Sequence, residues 1–344
     1  MAKPVIARVS RPCSPASVDE ELALLWRDAG RESPVARALM ANLVVFRDCP
    51  ARESVDLGAP IEDVPVDEVA RRHPSRVILL YHGGRSDLCG PHGATISILL
   101  FGEPPMRFGV EQIAVRSACA EASLPSIVRR LALGDVPTSI WWTQDLAQAT
   151  PLQSLVTMAR QLVYDSRHWR DVRAGVLALA PLVTGRDSPD LADLNWRRLA
   201  PMRQAVTQAI APANAVVQMG SMRLRIHHRP GEAALAWLLA GWFCSRLEWT
   251  GSKWPVAIEE ARHGDEVLGT AFGGDDPGDV TATMNGHRVL VKYRGRAAPF
   301  SIAVPRETDA DAIAAELRSL THDFSLRDAL VALARRFTSR DAEA

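Results

Sequence analysis

Apolar and polar positions alternate between helical and strand spacing along the first two thirds of the chain. Ser17-Val-Asp-Glu20 reads as a capping box, and Leu22, Leu25, Trp26 and Ala29 follow on one helical face that Gly30 stops. Leu43-Val-Val-Phe46 is a short apolar run ending at Cys49-Pro50 and predicts a strand. Residues 51–65 are polar and proline-bearing and predict a loop. A short helix over 67–72 follows, closed by His73-Pro74. Strands are then predicted at 76–81, 94–101, 112–118, 138–142 and 161–164, with a glycine-rich loop over 82–93. Helices open at Ser123-Leu-Pro125 and Thr150-Pro151, and run over about 168–184 and 201–210.

The last third changes character. Residues 215–218 and 223–228 predict strands, and one nearly all-apolar helix covers 232–247. Strands follow at about 256–262, 279–284, 288–293 and 300–304, split by the Gly/Asp turn of 273–278. Two helices close the chain, with Thr308/Asp311 and Ser325/Asp328 as N-terminal boxes. The predicted class is α/β: a mixed or parallel N-terminal sheet with helices on both faces, followed by a smaller α+β domain. The divisions drawn are a lead-in helix over 1–39, an α/β domain over 40–210 and an α+β domain over 211–344.

Composition adds mainly exclusions. The 344 residues carry 40 Lys+Arg against 40 Asp+Glu, with 47% hydrophobic and 23% charged residues, so disorder and a strongly basic nucleic-acid binder are excluded. Five scattered cysteines without a C-x-x-C pair give no disulfide framework. Cys49, Cys89 and Cys119 are candidates for redox control, but nothing nearby marks a low-pKa thiol, and plain buried or surface thiols are the better reading. The N-terminal apolar stretch is broken at Arg8, and the most apolar window, 233–244, is too short to span a bilayer. The expectation is a cytoplasmic protein.

No G-x-G-x-x-G after a strand, G-x-x-x-x-G-K-[ST], G-x-S-x-G or H-E-x-x-H is present. His82, Cys89 and His92 share one loop but lack a fourth zinc ligand, and a glycine turn is the better reading. Asp275, Asp276 and Asp279 lack calcium-loop spacing and read as a turn. Trp141-Trp142 must point to opposite faces of one strand. One of them either reaches the sheet's C-terminal edge, where ligands bind α/β sheets, or both fill the core. Asp165-Ser166 ends a strand and reads first as a helix cap, with sugar or arginine binding as the alternative. In Asp193-Leu-Asn-Trp-Arg-Arg-Leu-Ala-Pro-Met-Arg203, Arg197, Arg198 and Arg203 beside Trp196 suit an interface or anion site. An internal Asp–Arg network suits them equally. The final helix carries a stripe of Leu326, Leu330, Leu333 and Phe337 that suits packing onto its own domain.

Five segments in order make the chain resemble a known family: His73-Pro-Ser-Arg-Val-Ile, Asp135-Val-Pro-Thr-Ser-Ile-Trp-Trp142, Asp165-Ser166, the Asp193–Arg203 stretch, and Ala240-Gly-Trp-Phe-Cys-Ser-Arg-Leu-Glu-Trp249. Over about residues 40–337 it is similar to the OpcA family of glucose-6-phosphate dehydrogenase assembly and activator proteins. One departure is Met202, where the family usually has a tryptophan. The resemblance implies a non-catalytic protein, without cofactor or metal, that binds glucose-6-phosphate dehydrogenase and favours its active oligomer. It would thereby support NADPH production in the oxidative pentose phosphate pathway. The residues assigned to partner binding are Trp142, Asp165, Ser166, Trp196, Arg197 and Arg203, and neither nucleic acid nor membrane is an expected partner. The rival readings are a sugar-phosphate enzyme using Asp165 and His168, and a metabolite-sensing binding protein.

Overall fold

Every side chain from Ser75 to His82 (β4) is buried in the first sheet of the computed structural model. A strand covered on both faces needs apolar groups in both directions, which is why this run shows no alternation. The structure describes residues 7–31, 34–49, 56–61, 63–83, 91–103, 105–117, 121–148, 152–185, 188–210, 223–249, 254–261, 266–273, 280–293 and 298–342. Two compact units result. The first holds Met1–Gln144, Ala149–Tyr164 and Thr308–Thr321; the second holds Asp145–Gln148, Asp165–Glu307 and His322–Ala344. These units are discontinuous in sequence, whereas the composition-based divisions at 40–210 and 211–344 are contiguous.

In the first unit the strands are β1 (Ala7–Cys13), β2 (Ala36–Arg37), β3 (Ala41–Asp48), β4, β5 (Pro91–Phe101), β6 (Phe108–Ser117), β7 (Thr138–Trp142) and β8 (Gln161–Tyr164). Their order is β1-β5-β6-β4-β3-β7-β8, with β2 on β6. The pairs β1–β5 and β5–β6 are antiparallel, and β6–β4–β3–β7–β8 is parallel. The sheet is therefore mixed. Helices α1 (Val18–Ala29), α2 (Val66–Arg72), α3 (Leu124–Leu131), α4 (Leu152–Val156) and, from far along the chain, α9 (Asp309–Arg318) complete the unit.

A buried ionic network organises this unit. Arg76, the arginine of His-Pro-Ser-Arg, is 4% exposed and Glu111 is 3% exposed. Arg76 Nε donates to Glu111 Oε2 at 2.8 Å, and its Nη1 donates to the Leu131 carbonyl at 2.8 Å. The other carboxylate oxygen accepts from Trp26 Nε1 at 2.7 Å and pairs with Arg37 at 2.8 Å. One carboxylate thus ties α1, β2, β4 and β6 together. His73 Nδ1 lies 2.9 Å from the Ser75 hydroxyl, and burial, aided by Arg318, lowers its pKa. The motif is a structural joint.

The second unit contains α5 (Val172–Thr184), β9 (Asp190–Asp193), α6 (Leu194–Arg198), α7 (Ala200–Ile210), β10 (Arg223–His228), α8 (Ala233–Arg246), β11 to β15 and α10 (Phe324–Ala342). The last strands are β11 (Val256–Glu260), β12 (Leu268–Gly273), β13 (Val280–Met284), β14 (Arg288–Tyr293) and β15 (Phe300–Ala303). The sheet runs β11-β10-β12-β13-β14-β15, parallel only at β10–β11. Helix α8 packs on β10 and on α10, and α10 packs on α5. Leu326, Leu330, Leu333 and Phe337 are all buried, so the predicted stripe faces its own unit.

The α8–α10 approach depends on Gly241. A Cβ there would stand 2.7 Å from the Ala329 carbonyl oxygen and 2.7 Å from Leu333 Cγ. Backbone cannot give way as a flexible side-chain end can. Gly241→Ala is expected to cost about 1–3 kcal/mol, read as a lower urea midpoint. An unchanged midpoint would show that the helices slide apart freely.

Several expectations need correction. Ser17 makes no capping bond to the first turn of α1; its hydroxyl donates to the Ser14 carbonyl. Helix α10 is capped by Asp323, whose carboxylate accepts from Leu326 N at 2.9 Å, so Ser325/Asp328 is not its box. The Thr308/Asp311 box is present. The helix expected over 168–184 is a 3₁₀ turn, Ser166–His168, followed by α5. Strands β1, β2, β9 and β12 are not among the predicted elements. The strand expected at 215–218 lies outside the described residues, as do Cys89, Cys119, Asp275, Asp276 and Asp279 and the side chains of His92 and His168. No helix among the described residues is long and apolar enough to cross a membrane.

Candidate functional site

Five of the six residues singled out for partner binding fall in the second unit. Trp142 does not: it lies at the end of β7 in the first unit, 1% exposed, stacked on Phe46 with ring centroids 4.0 Å apart and planes 9° apart. Trp141 is also buried, so both indoles are core groups.

In the second unit, Asp165 ends the chain's crossing from β8 and does two things. Its Oδ1 accepts from Arg167 N at 3.1 Å, capping the 3₁₀ turn. Its two oxygens also accept from Arg198 at 2.8 and 2.9 Å, a forked pair whose planar groups match. Arg197, the neighbouring residue, points elsewhere and makes a second fork to Glu307 at 2.7 and 2.8 Å. The internal Asp–Arg network is thus the arrangement that the fold adopts.

Ser166 is 0% exposed and Trp196 is 3% exposed, so both lie beneath the surface. Trp196 Nε1 donates to Asp323 Oδ2 at 2.7 Å, and the Arg203 guanidinium lies 3.5 Å over the indole. Met202 is 0% exposed. Methionine there fills core space, which its flexible thioether does readily. Asp165, Arg197 and Arg203 are the three of the six that are half-buried.

Beside Arg203 opens a cavity of about 640 Å³, which also receives Thr207, Trp242, Phe243, Arg246 and Ser325. Arg246 donates to the Ser325 hydroxyl at 2.5 Å. Burial pushes the Arg203 pKa down to about 10, opposed by Asp323 and assisted by the like charge of Arg246. It remains a cation at neutral pH. Reading the sequence missed Arg246, although Trp242 and Arg246 stand one helical turn apart on α8 and so share a face.

A polar cluster lies under the same network. Asp193 Oδ1 accepts from Ser166 N at 3.1 Å and from Asn195 N at 2.9 Å. Asp193 Oδ2, Ser166 Oγ and both side-chain polar atoms of Asn195 have no protein partner among the described residues. Burial, with the nearby Asp165 charge, raises the Asp193 carboxyl to about 7. No group of three potential metal ligands occurs among the described residues. Of the described thiols, Cys13 and Cys244 are pushed up by burial, Cys244 to about 12, which opposes thiolate chemistry.

Comparison with known proteins fits this geometry into a family. Residues 66–181 match a family model described as the glucose-6-phosphate dehydrogenase subunit N-terminal domain, and residues 189–330 match the corresponding C-terminal domain. A protein of Nostoc punctiforme described as an OxPP cycle protein, OpcA, is 27% identical over 64% of this chain and 47% of its own length. Its namesake in Synechococcus elongatus is 25% identical over 63% of this chain and 49% of its own. The chain spans about half the length of these curated relatives. Among solved structures, KijD10, a 3-ketoreductase from Actinomadura kijaniata, is similar at a TM-score of 0.44 and 11% identity over 87% of this chain and 96% of that one. The two domain models, met in order on one chain, establish that the protein belongs to the OpcA family.

Proposed function

We propose that this protein is a non-catalytic assembly factor that docks on glucose-6-phosphate dehydrogenase in the cytoplasm and favours its active oligomer. The observation that carries the reading is the pair of family models, both described as domains of a glucose-6-phosphate dehydrogenase subunit, over 66–181 and 189–330. The site chemistry supports it. Asp165 is held by two bonds from Arg198, so it is committed to an ion pair rather than poised as an acid or base, and the sugar-phosphate enzyme reading loses its main group. In the docking proposal Arg197, fixed by Glu307 at the surface, meets the partner, while Asp165, Ser166 and Trp196 hold the segment that presents it. Interface arginines act best when a neighbour fixes their orientation.

An activator must bind the competent form of its partner more tightly than the other form. A coupling of about 1–3 kcal/mol corresponds to a change of roughly 5–150-fold in substrate affinity, and by reciprocity substrate tightens the complex. The test is a titration of the same organism's dehydrogenase with this protein at subsaturating glucose 6-phosphate. A saturable fall in KM or rise in kcat, with a shift to a larger eluting species, is expected. Arg197→Gln, which removes the charge without setting a carboxylate against Glu307, should weaken the half-saturation point about tenfold while costing no more than about 1 kcal/mol of stability. No kinetic change and no co-elution would overturn the proposal.

A further inference from the structure

The cavity beside Arg203 has the makings of a ligand site that partner docking does not use. At about 640 Å³ it lies within the range of small-molecule pockets. Two arginines, Arg203 and Arg246, reach it from different helices, α7 and α8. Trp242 and Phe243 give it an aromatic wall, and Thr207 and Ser325 add hydroxyls. One carboxylate, that of Asp323, also lines it. Both its oxygens already accept hydrogen bonds, Oδ2 from Trp196 Nε1 at 2.7 Å and Oδ1 from Leu326 N at 2.9 Å. These neutral donors fix its position and leave its charge, which attracts Arg203, so the lining carries two cations and one anion. Arg203 contacts the face of Trp196, which holds the guanidinium plane without occupying its hydrogen-bond donors.

The arrangement is two cations against one carboxylate, a guanidinium fork held over an indole face, and an aromatic wall. A bare inorganic anion would use the cations and leave the wall empty. An uncharged ring would leave the excess positive charge of two arginines over one aspartate unmatched. We propose that this cavity binds a phosphorylated small molecule, with its phosphate between Arg203 and Arg246 and its ring or sugar face against Trp242 and Phe243. Charge-assisted bonds from a planar fork suit phosphate geometry, and two positive groups share its charge. Filling the site also relieves the repulsion between the two arginines. Burial holds the Arg203 pKa below its usual range, and an anion there would raise it again.

The experiment uses the full chain alone, so its outcome is independent of any dehydrogenase. Tryptophan fluorescence and calorimetry follow titration with ADP, glucose 6-phosphate, inorganic pyrophosphate and adenosine. Saturable binding of ADP or glucose 6-phosphate at or below about 1 mM is expected, tighter than pyrophosphate, with adenosine silent. The better of the two phosphorylated probes tells a nucleotide site from a sugar-phosphate site. Arg246→Gln, at an exposed helix end where the fold tolerates change, should weaken binding about tenfold, and Arg203→Met should do so at least as strongly. Two results would overturn the proposal: neither phosphorylated probe binds, or binding persists unchanged in Arg246→Gln.

Discussion

Replacing Glu111 with alanine is expected to destabilise the protein by about 3–5 kcal/mol, the largest effect of any single substitution proposed for it. The reason is what is left behind. Arg76 is 4% exposed and loses the acceptor 2.8 Å from its Nε, so a buried cation keeps only the exposed Asp19 carboxylate, 3.3 Å from its Nη2, as counter-charge. Trp26 Nε1 loses its acceptor as well. A buried pair with several bonds is costly to break because desolvation of each member was already incurred on folding. The expected result is a lower urea midpoint with an unchanged slope. Arg76→Met combined with Glu111→Leu should recover much of the loss, since apolar replacement of a whole buried pair is often neutral or better. A loss below about 1 kcal/mol for Glu111→Ala would mean that the pair is a surface-like bridge despite its burial.

The same pair shows what pattern reading reaches. The segment around Arg76 is easy to recognise as a motif, yet its role depends on Glu111, which sits inside an apolar strand 35 positions away. Nothing in local periodicity links the two. Elements fixed by local signals were legible: β4 from its unbroken apolar run, α8 from its length and apolarity, and α9 from Thr308 and Asp311, whose mutual bonds are local. Elements fixed by tertiary pairing were not. Strand β1 is half exposed and mixed in composition and exists because it pairs antiparallel with β5. Strand β12, Leu268–Gly273, carries two glycines and becomes a strand between β10 and β13. Cap residues were misassigned where two candidates stand close together, as with Asp323 and Ser325, because spacing alone does not say which side chain turns inward.

For the candidate site, the sequence supplied the ingredients and the fold supplied their partners. Arg197, Arg198 and Arg203 were visible as a basic cluster beside Trp196. Their roles diverge only in three dimensions: Arg198 is committed to Asp165, Arg197 to Glu307, and Arg203 to the face of Trp196. Three neighbouring arginines therefore do a structural, a surface and a cavity task. For Arg197 and Arg198 the divergence follows from helical geometry, since consecutive residues point about 100° apart; Arg203 stands on the next helix, α7. Met202 is settled by the same logic. Its neighbour Arg203 looks toward the cavity while Met202 looks into the core, and a substitution there bears on packing.

The second large effect is a dependence of stability on pH that resides in Asp193. This carboxyl is 2% exposed, accepts two backbone amides through Oδ1, and has no protein partner for Oδ2 among the described residues. Burial first, and the charge of Asp165 second, raise it to about 7 in the folded protein. An unfolded aspartate titrates near 3.9. Between about pH 4 and pH 7 the folded state therefore holds a proton that the unfolded state has released. Folding takes up that proton, so stability falls as pH rises through this window and is flat on either side of it. A shift of about three units corresponds to roughly 4 kcal/mol across the whole window. Asp193→Asn keeps a carbonyl oxygen for the Ser166 and Asn195 amides but cannot ionise. The variant should match wild type below about pH 4 and become the more stable of the two by a few kcal/mol above about pH 7. Urea denaturation of both proteins across that range measures the difference directly. A difference that does not change with pH would show that Asp193 stays ionised in the folded state, and that the polar atoms around it supply the compensation instead.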